Sequence, residues 1–301
     1  MKTYTDCLPC IVRMLFESIK LATPDEELQK KIYFKILPMI EQFGTEKSPP
    51  EIFGELYKII KEMSNNPDPY KKIKKECNDL IANIEDYLRK KINGSLLTAI
   101  ELSIAGNIID YGINNGLDVE AEIDKIVQKE SEKINKESSD LFAFANFEKD
   151  LKKAKTLLFI SDNAGEIILD KLLLEQLKKN DLHITLATRS FPVLNDITKE
   201  EAITYGLDKV VDEIITSGSY FPGTVFEKSD PKFLEKMKSV DLIISKGQGN
   251  FETMFNEKFI KGLQSKMYFL FMAKCDVIVG EVNRFVDGCR LNDILLLENK
   301  K

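Results

Sequence analysis

Two rhythms of apolar and polar residues divide this chain. Up to about residue 150, apolar residues recur at three- and four-residue spacing, the period of a helix with one buried face. Thr23-Pro24 reads as an N-cap followed by proline at the first helical position, with Leu28, Ile32 and Ile36 behind it at helical spacing. Ser48-Pro49 repeats the start signal before "EIFGELYKIIKEM". After "NNPDPY", residues Ile73, Cys77, Leu80, Ile84 and Leu88 predict one apolar face along "KKIKKECNDLIANIEDYLRKKING". A further helix is expected from near Ser95 through "AIELSIAGNIIDYG". Residues 118–137 are highly charged but keep Val119, Ile123, Ile126 and Ile134, the pattern of a solvated helix.

Near residue 155 the rhythm shortens. "TLLFIS", "HITLAT", "KVVDEIIT", "DLIISK" and "MYFLFM" are short apolar runs rich in β-branched residues, and "CDVIVGEV" comes close behind the fifth. Helical segments are expected between most of them, at 164–179, 198–205, 230–238 and 250–262. This alternation predicts βαβ units. The expected fold is α/β: an all-helical region over 1–150, then a mostly parallel, Rossmann-like sheet with helices on both faces over 151–301. Right-handed crossovers would bring the loops after the strands to one edge.

Composition narrows the class. The 301 residues are 43% hydrophobic and 31% charged, as in an ordinary soluble globular protein. No apolar run approaches the roughly 18 residues of a membrane span, and "MKTYTDCLPC" lacks the apolar core of a signal peptide, so a cytoplasmic protein with no membrane partner is expected. A net charge of −6 argues against a nucleic-acid surface, though not against a small phosphorylated ligand in a local pocket. Five scattered cysteines are no disulfide framework. A single histidine, His183, excludes multi-histidine zinc sites, so oxygen ligands and hard ions are favoured if a metal binds.

In open α/β sheets, ligands bind beyond the carboxyl ends of the strands. There the chain sets "SDNAGE" (Ser161 to Glu166), then Arg189, Asn195 and Asp196, then Gly218, Ser219, Gly223 and Thr224, then Lys246, Gly247, Gly249 and Asn250. Asp162, Asn163 and Asp196 could supply a hard divalent cation with two carboxylates and an amide oxygen. Lys246 is a point charge suited to phosphate, and the neighbouring glycines would let backbone N–H groups approach it. Each has a plainer reading. Asp162 and Asn163 are good N-caps, Thr198 with Glu201 fits a capping box, and Lys246 could lie on the surface. Asn107 and Asp110 share a helix face among apolar residues, either as structural hydrogen-bonding groups or as one wall of the pocket. "CLPC" (Cys7 to Cys10) has the spacing of half a zinc site or of a redox pair, but no second C-x-x-C exists and it precedes a helix.

"CLPC", "AGNIID", "SDNAGEIILD", "PVLNDITKEEA", "SGSYFPGT" and "KGQGNFE" occur in this order. Together they resemble the DUF89 family, the ARMT1-like damage-control phosphatases, and the C-x-x-C resembles that family's first, largely archaeal and microbial subfamily. The resemblance implies a phosphatase dependent on Mn²⁺, Ni²⁺, Co²⁺ or Mg²⁺ that acts on small metabolites such as sugar phosphates or damaged nucleotides. It implies Asp162, Asn163 and Asp196 as metal ligands, Lys246 as phosphate anchor and Asn107 and Asp110 as pocket residues. On this reading Gly218, Ser219, Gly247 and Asn250 hold the phosphate, and Glu166 or Asp110 positions the attacking water. The segment "DVIVGEVNRFVDGC" does not map onto the family pattern.

Three other functions are open. A haloacid-dehalogenase-type enzyme would use Asp162 as nucleophile but should carry a second aspartate where Ala164 stands. A carboxyl methyltransferase, an activity suggested within the wider family, should have a glycine-rich loop after the first strand. The third is a non-catalytic nucleotide-binding protein. Substrate, resident metal and oligomeric state are not legible in the sequence.

Overall fold

The computed structural model describes residues 1–106, 124, 140–255 and 258–299. Its centre is a sheet of β1 (Thr156–Ile160), β2 (His183–Thr188), β3 (Glu213–Thr216), β4 (Leu242–Lys246), β5 (Lys266–Met272) and β6 (Ile294–Glu298), in the order β3-β2-β1-β4-β5-β6. The first five strands run parallel, and β6 is antiparallel to β5. Successive side chains of a strand face opposite sides. Leu157 and Phe159 of β1 therefore join one core cluster, and Leu158 and Ile160 join the other. Both sides are covered, which is why these runs are apolar throughout rather than alternating.

The helical half is made of α1 (Cys7–Ala22), α2 (Glu26–Phe43), α3 (Pro49–Ser64), α4 (Lys71–Asn83), α5 (Glu85–Ile92) and α6 (Leu96–Ala105). Next come α7 (Phe144–Leu151) and, among the strands, α8 (Glu166–Lys178), α9 (Lys199–Thr204), α10 (Pro231–Ser239), α11 (Gln248–Met254), α12 (Lys258–Lys261) and α13 (Asp276–Asn283). The change of pattern near residue 150 is not a break in the core. Ile81, Leu88, Ile100 and Ile104 from the helical half pack in one cluster with Leu157, Phe159 and Ile244 of the sheet. Asn107, Asp110 and the charged stretch 118–137 lie outside the described residues, apart from residue 124.

Local signals set most boundaries. At Ser48 the Glu51 carboxylate accepts from the Ser48 N–H at 2.8 Å and its Oγ at 2.7 Å, and the Thr198–Glu201 box has the same form. Helix α3 then buries Ile52, Phe53, Leu56, Tyr57 and Ile60 along one face, each worth ~1.5–3 kcal/mol of burial at the apolar limit. Two expectations are corrected. Helix α2 is capped by Asp25, not Thr23, because the Asp25 carboxylate accepts from two N–H groups, of Glu27 and Leu28. The run "CDVIVGEV" forms helix α13 with Cys275 as N-cap, not a strand beside β5. The place beside β5 is taken by β6, and its outer edge is closed by residues 141–143: Ala143 N–H donates to Leu296 O at 2.9 Å.

No helix among the described residues is long and apolar enough to cross a membrane.

Candidate active site at the strand ends

Strand order reverses between β1 and β4. From β1 the chain moves outward through β2 to β3, then returns to start β4 on β1's other side. Loops diverging at such a point leave a crevice at the carboxyl ends of the strands. The residues after β1, β2 and β4 that carried the chemistry in the sequence meet here.

The loop after β1 is pinned to the loop after β2. Asn163 and Asp196 face each other in an antiparallel bridge, with Ile197 N–H donating to Asp162 O and Ala164 N–H to Asn195 O, both at 2.8 Å. Helix α8 starts only at Glu166, with Gly165 at the N-cap in positive φ and no side-chain cap. Asp162 and Asn163 are therefore not capping residues, and their side chains are free for other work. Asn163 Nδ2 donates to Asp162 Oδ2 at 2.9 Å and to Glu166 Oε1 at 3.0 Å. Two carboxylate acceptors fix which end of the amide is nitrogen, and they turn its Oδ1 away from both acids.

From the other side, Gly247 closes on Asp162. Its backbone has φ 86° and ψ 154°, and a Cβ there would lie 1.9 Å from Asp162 Oδ2. Only glycine fits, because both the conformation and the space exclude a side chain. The β4 loop thus seats the Asp162 carboxylate.

The acids here are crowded. Burial, with the Asp196 and Glu166 carboxylates, pushes Asp162 well above the usual carboxylate range. Burial also raises Asp196, although the Arg189 guanidinium pulls the other way. Arg189 is itself buried, with Nε donating to Asp196 Oδ2 at 2.6 Å and one NH2 group to Asn250 Oδ1 at 3.1 Å. Lys246 is fully buried rather than on the surface. Its Nζ donates to Ser103 O at 2.7 Å, Asp170 Oδ1 at 2.6 Å and Glu166 Oε2 at 3.2 Å. Burial works against the ammonium's charge, but the Asp170 and Glu166 carboxylates outweigh it and hold its pKa above the ordinary value. Asp170 is raised by burial to about 6 despite Lys246.

Other expected phosphate contacts have different work. The Gly218 N–H donates to Ser190 Oγ at 2.6 Å and the Gly247 N–H to Leu270 O at 2.9 Å, so neither is available to an anion. Gly218 is there for close approach, since a Cβ would meet Asp230 Cβ at 2.5 Å. Ser219 is buried, and its Oγ accepts from the Phe221 N–H. Asn250 is a cross-brace. Its Oδ1 accepts from Arg189 and from Thr224 Oγ1 at 2.9 Å, and its Nδ2 donates to Lys246 O at 2.8 Å and Ser161 O at 3.4 Å. It ties together the ends of β1 and β4 and the loops after β2 and β3.

The helical half buttresses each loop. Helix α3 approaches the loop after β3 so closely that a Cβ at Gly54 would lie 2.4 Å from the Phe221 ring, and Lys61 of α3 donates to Pro192 O at 2.8 Å. Asn78 of α4 accepts from the Gly165 N–H at 2.6 Å. Lys74 of α4, fully buried, pairs with Asp68 and Glu201 at 2.9 and 2.8 Å. Ser103 of α6 meets Lys246 and Asp170. Lys74, Asn78, Ser103 and Asp170 had no role in the sequence reading, and Arg189 was noted without one. A lone acid among Ile167, Ile168, Leu169, Leu172 and Leu173 was the available signal for Asp170.

Two carboxylates and an amide oxygen are donor types that suit a hard divalent ion, and the Asn163 amide would have to turn its oxygen toward such an ion, since its Nδ2 faces Asp162. Among the described residues no group of three His, Cys, Asp or Glu side chains is placed to hold a metal ion. The protein would supply a partial set, with water and substrate completing the shell. Cys7, Cys10, Cys77, Cys275 and Cys289 are all free thiols.

The sequence matches the family described as the damage-control phosphatase ARMT1-like domain over residues 3–287. An uncharacterised protein of Methanocaldococcus jannaschii is 31% identical over 304 residues, covering 99% of this chain and 95% of that one. A protein of Pyrococcus horikoshii named a damage-control phosphatase is 28% identical, with 94% of each chain covered. One of Archaeoglobus fulgidus with the same name is 26% identical, covering 94% of this chain and 96% of the relative. A crystal structure of a DUF89 family protein from Pyrococcus horikoshii superposes with a TM-score of 0.87 at 24% identity over 100% of both chains, a likeness of fold.

Proposed function

This chain belongs to the damage-control phosphatase ARMT1-like family, and we propose that it hydrolyses phosphate monoesters of small metabolites at the β1–β4 crevice with a divalent metal. The observation that carries this is the joining of Asp162, Asn163 and Asp196 by the bridge between the β1 and β2 loops. Buried carboxylates that repel one another are costly unless something positive compensates them. Arg189 bonds Asp196 directly, whereas Asp162 feels Arg189 and Lys274 only through space.

Asp162, Asn163 and Asp196 would hold Mn²⁺, Ni²⁺, Co²⁺ or Mg²⁺, which when bound polarises a phosphoryl oxygen and lowers the pKa of water. The remaining work belongs to the chain. Gly247 seats Asp162, and Arg189 holds Asp196 by its second oxygen. Lys246 supplies the positive charge for the phosphate. Glu166 holds the Asn163 amide and the Lys246 ammonium in place. Each Glu166 oxygen accepts one of those bonds and keeps a further lone pair, so Glu166 could orient water, as expected from the sequence, without giving either up. Sugar phosphates and damaged nucleotides are the substrate classes that suit such a site.

The test is phosphate release from a panel of sugar phosphates and normal and oxidised nucleotides, with each of the four ions. Release that needs metal and is abolished by Asp162→Ala supports the proposal. An Asp162→Ala variant with full metal-dependent activity, or a silent panel with every ion, sinks it.

A further inference from the structure

Asp170 is a buried acid that the proposed chemistry does not use. It lies one turn beyond Glu166 on α8, so the two share a face. A carboxylate among apolar neighbours carries a desolvation cost, which is tolerated where it has strong partners.

An ammonium has three N–H donors, and the structure assigns all three on Lys246. Two go to Ser103 O and Asp170 Oδ1 at 2.7 and 2.6 Å. The third goes to Glu166 Oε2 at the longer 3.2 Å. Glu166 Oε1 in turn meets Asn163, one of the candidate metal ligands. The weakest of the three bonds is therefore the one directed toward the crevice. Asp170 cannot swing, because Ser103 Oγ donates to the same Oδ1 at 2.6 Å. Its Oδ2 is buried and accepts nothing among the described residues, so its hold on the protein runs through Oδ1.

We propose that Asp170 is a positioning residue that anchors the Lys246 ammonium from behind. The third N–H is then free to pass from Glu166 to a phosphate oxygen while the lysine stays where it is. Without the Asp170 charge, Glu166 is the only anion left to Lys246 among the described residues. The two close into a pair, and the phosphate loses its anchor. This inference rests on the phosphatase proposal and adds to it a residue that never touches substrate.

The experiment compares wild type, Asp170→Asn and Ser103→Ala. Asparagine keeps the shape and an acceptor oxygen but removes the charge. Inorganic phosphate binding in the presence of Mn²⁺ is measured by calorimetry, Mn²⁺ binding by titration alone, and folding by thermal melting. Asp170→Asn should bind phosphate about tenfold or more weakly, the scale of one charge-assisted hydrogen bond, and show a matching rise in KM. Its Mn²⁺ affinity should equal that of wild type. Ser103→Ala should shift phosphate affinity in the same direction by less. Unchanged phosphate affinity in a folded Asp170→Asn protein overturns the inference. So does a parallel loss of phosphate and Mn²⁺ affinity with a lowered melting temperature, which marks a merely structural role. A wild-type protein that binds phosphate but releases none from any substrate overturns the phosphatase proposal instead, while the binding comparison still judges Asp170.

Discussion

Gly247→Ala puts the central contact of the site to the test. At φ 86° and ψ 154°, a residue with a side chain is strained by ~1–3 kcal/mol. The new Cβ would also lie 1.9 Å from Asp162 Oδ2 and 2.1 Å from its Cγ, so the carboxylate or the loop must move. Overpacking of this kind costs a further ~1–3 kcal/mol. A total of ~2–6 kcal/mol lowers the melting temperature by about 4 °C at the least, at ~2 °C per kcal/mol for a chain of this size. Gly206→Ala is the control, because Gly206 has φ 80° but nothing within 4 Å of its would-be Cβ. At ψ 21° it carries the milder left-handed strain without the collision. Differential scanning calorimetry with and without Mn²⁺, together with steady-state phosphate release, reads both effects. Gly247→Ala should lose kcat/KM by about a hundredfold, the effect of misplacing a reacting group by an ångström, and should gain less melting temperature from Mn²⁺ than wild type. Gly206→Ala should keep both. If the two variants behave alike, Gly247 does not seat Asp162 and the crevice is not closed from the β4 side.

Two further substitutions probe buried charge. Arg189→Met removes the cation shared by Asp196 and Asn250 and should destabilise the metal-free protein by ~3–5 kcal/mol in urea denaturation, the cost of leaving a buried charge unpaired; a loss below about 1 kcal/mol would mean that Asp196 has another partner. Glu252, buried and bonded to Gln248, is pushed by burial from 4.5 up to about 7, with the nearby N-terminal ammonium opposing. The folded chain then holds more protons than the unfolded chain between those values, so stability is fully present below pH 4.5 and lost as pH rises through 7, by up to ~3 kcal/mol. Glu252→Gln should flatten that part of the melting-temperature profile, and a wild-type profile that rises from pH 5 to 8 as steeply as the variant's would contradict it.

Much of the fold was legible because its signals are local. A capping box needs only residues three apart, so Ser48–Glu51 and Thr198–Glu201 could be read directly. Five strands could be read because a β-branched run between helices has few other solutions. Where two local signals compete, the contacts made in the fold decide between them. Thr23 and Asp25 are both fair caps, and the two N–H groups reached by Asp25 decided between them. "CDVIVGEV" is apolar enough for a strand, but the β5 edge was filled by β6 from further along the chain. The site shows the same division. Period and order are enough to place these residues beyond the strand ends. What each side chain does there follows from its folded surroundings. Asn250 and Gly218 brace the loops, Lys246 is buried among two acids, and Asp162 rests against Gly247. Charge, burial and close approach depend on partners dozens of residues away, such as Ser103 for Lys246 and Gly247 for Asp162, and no local pattern encodes a contact that distant.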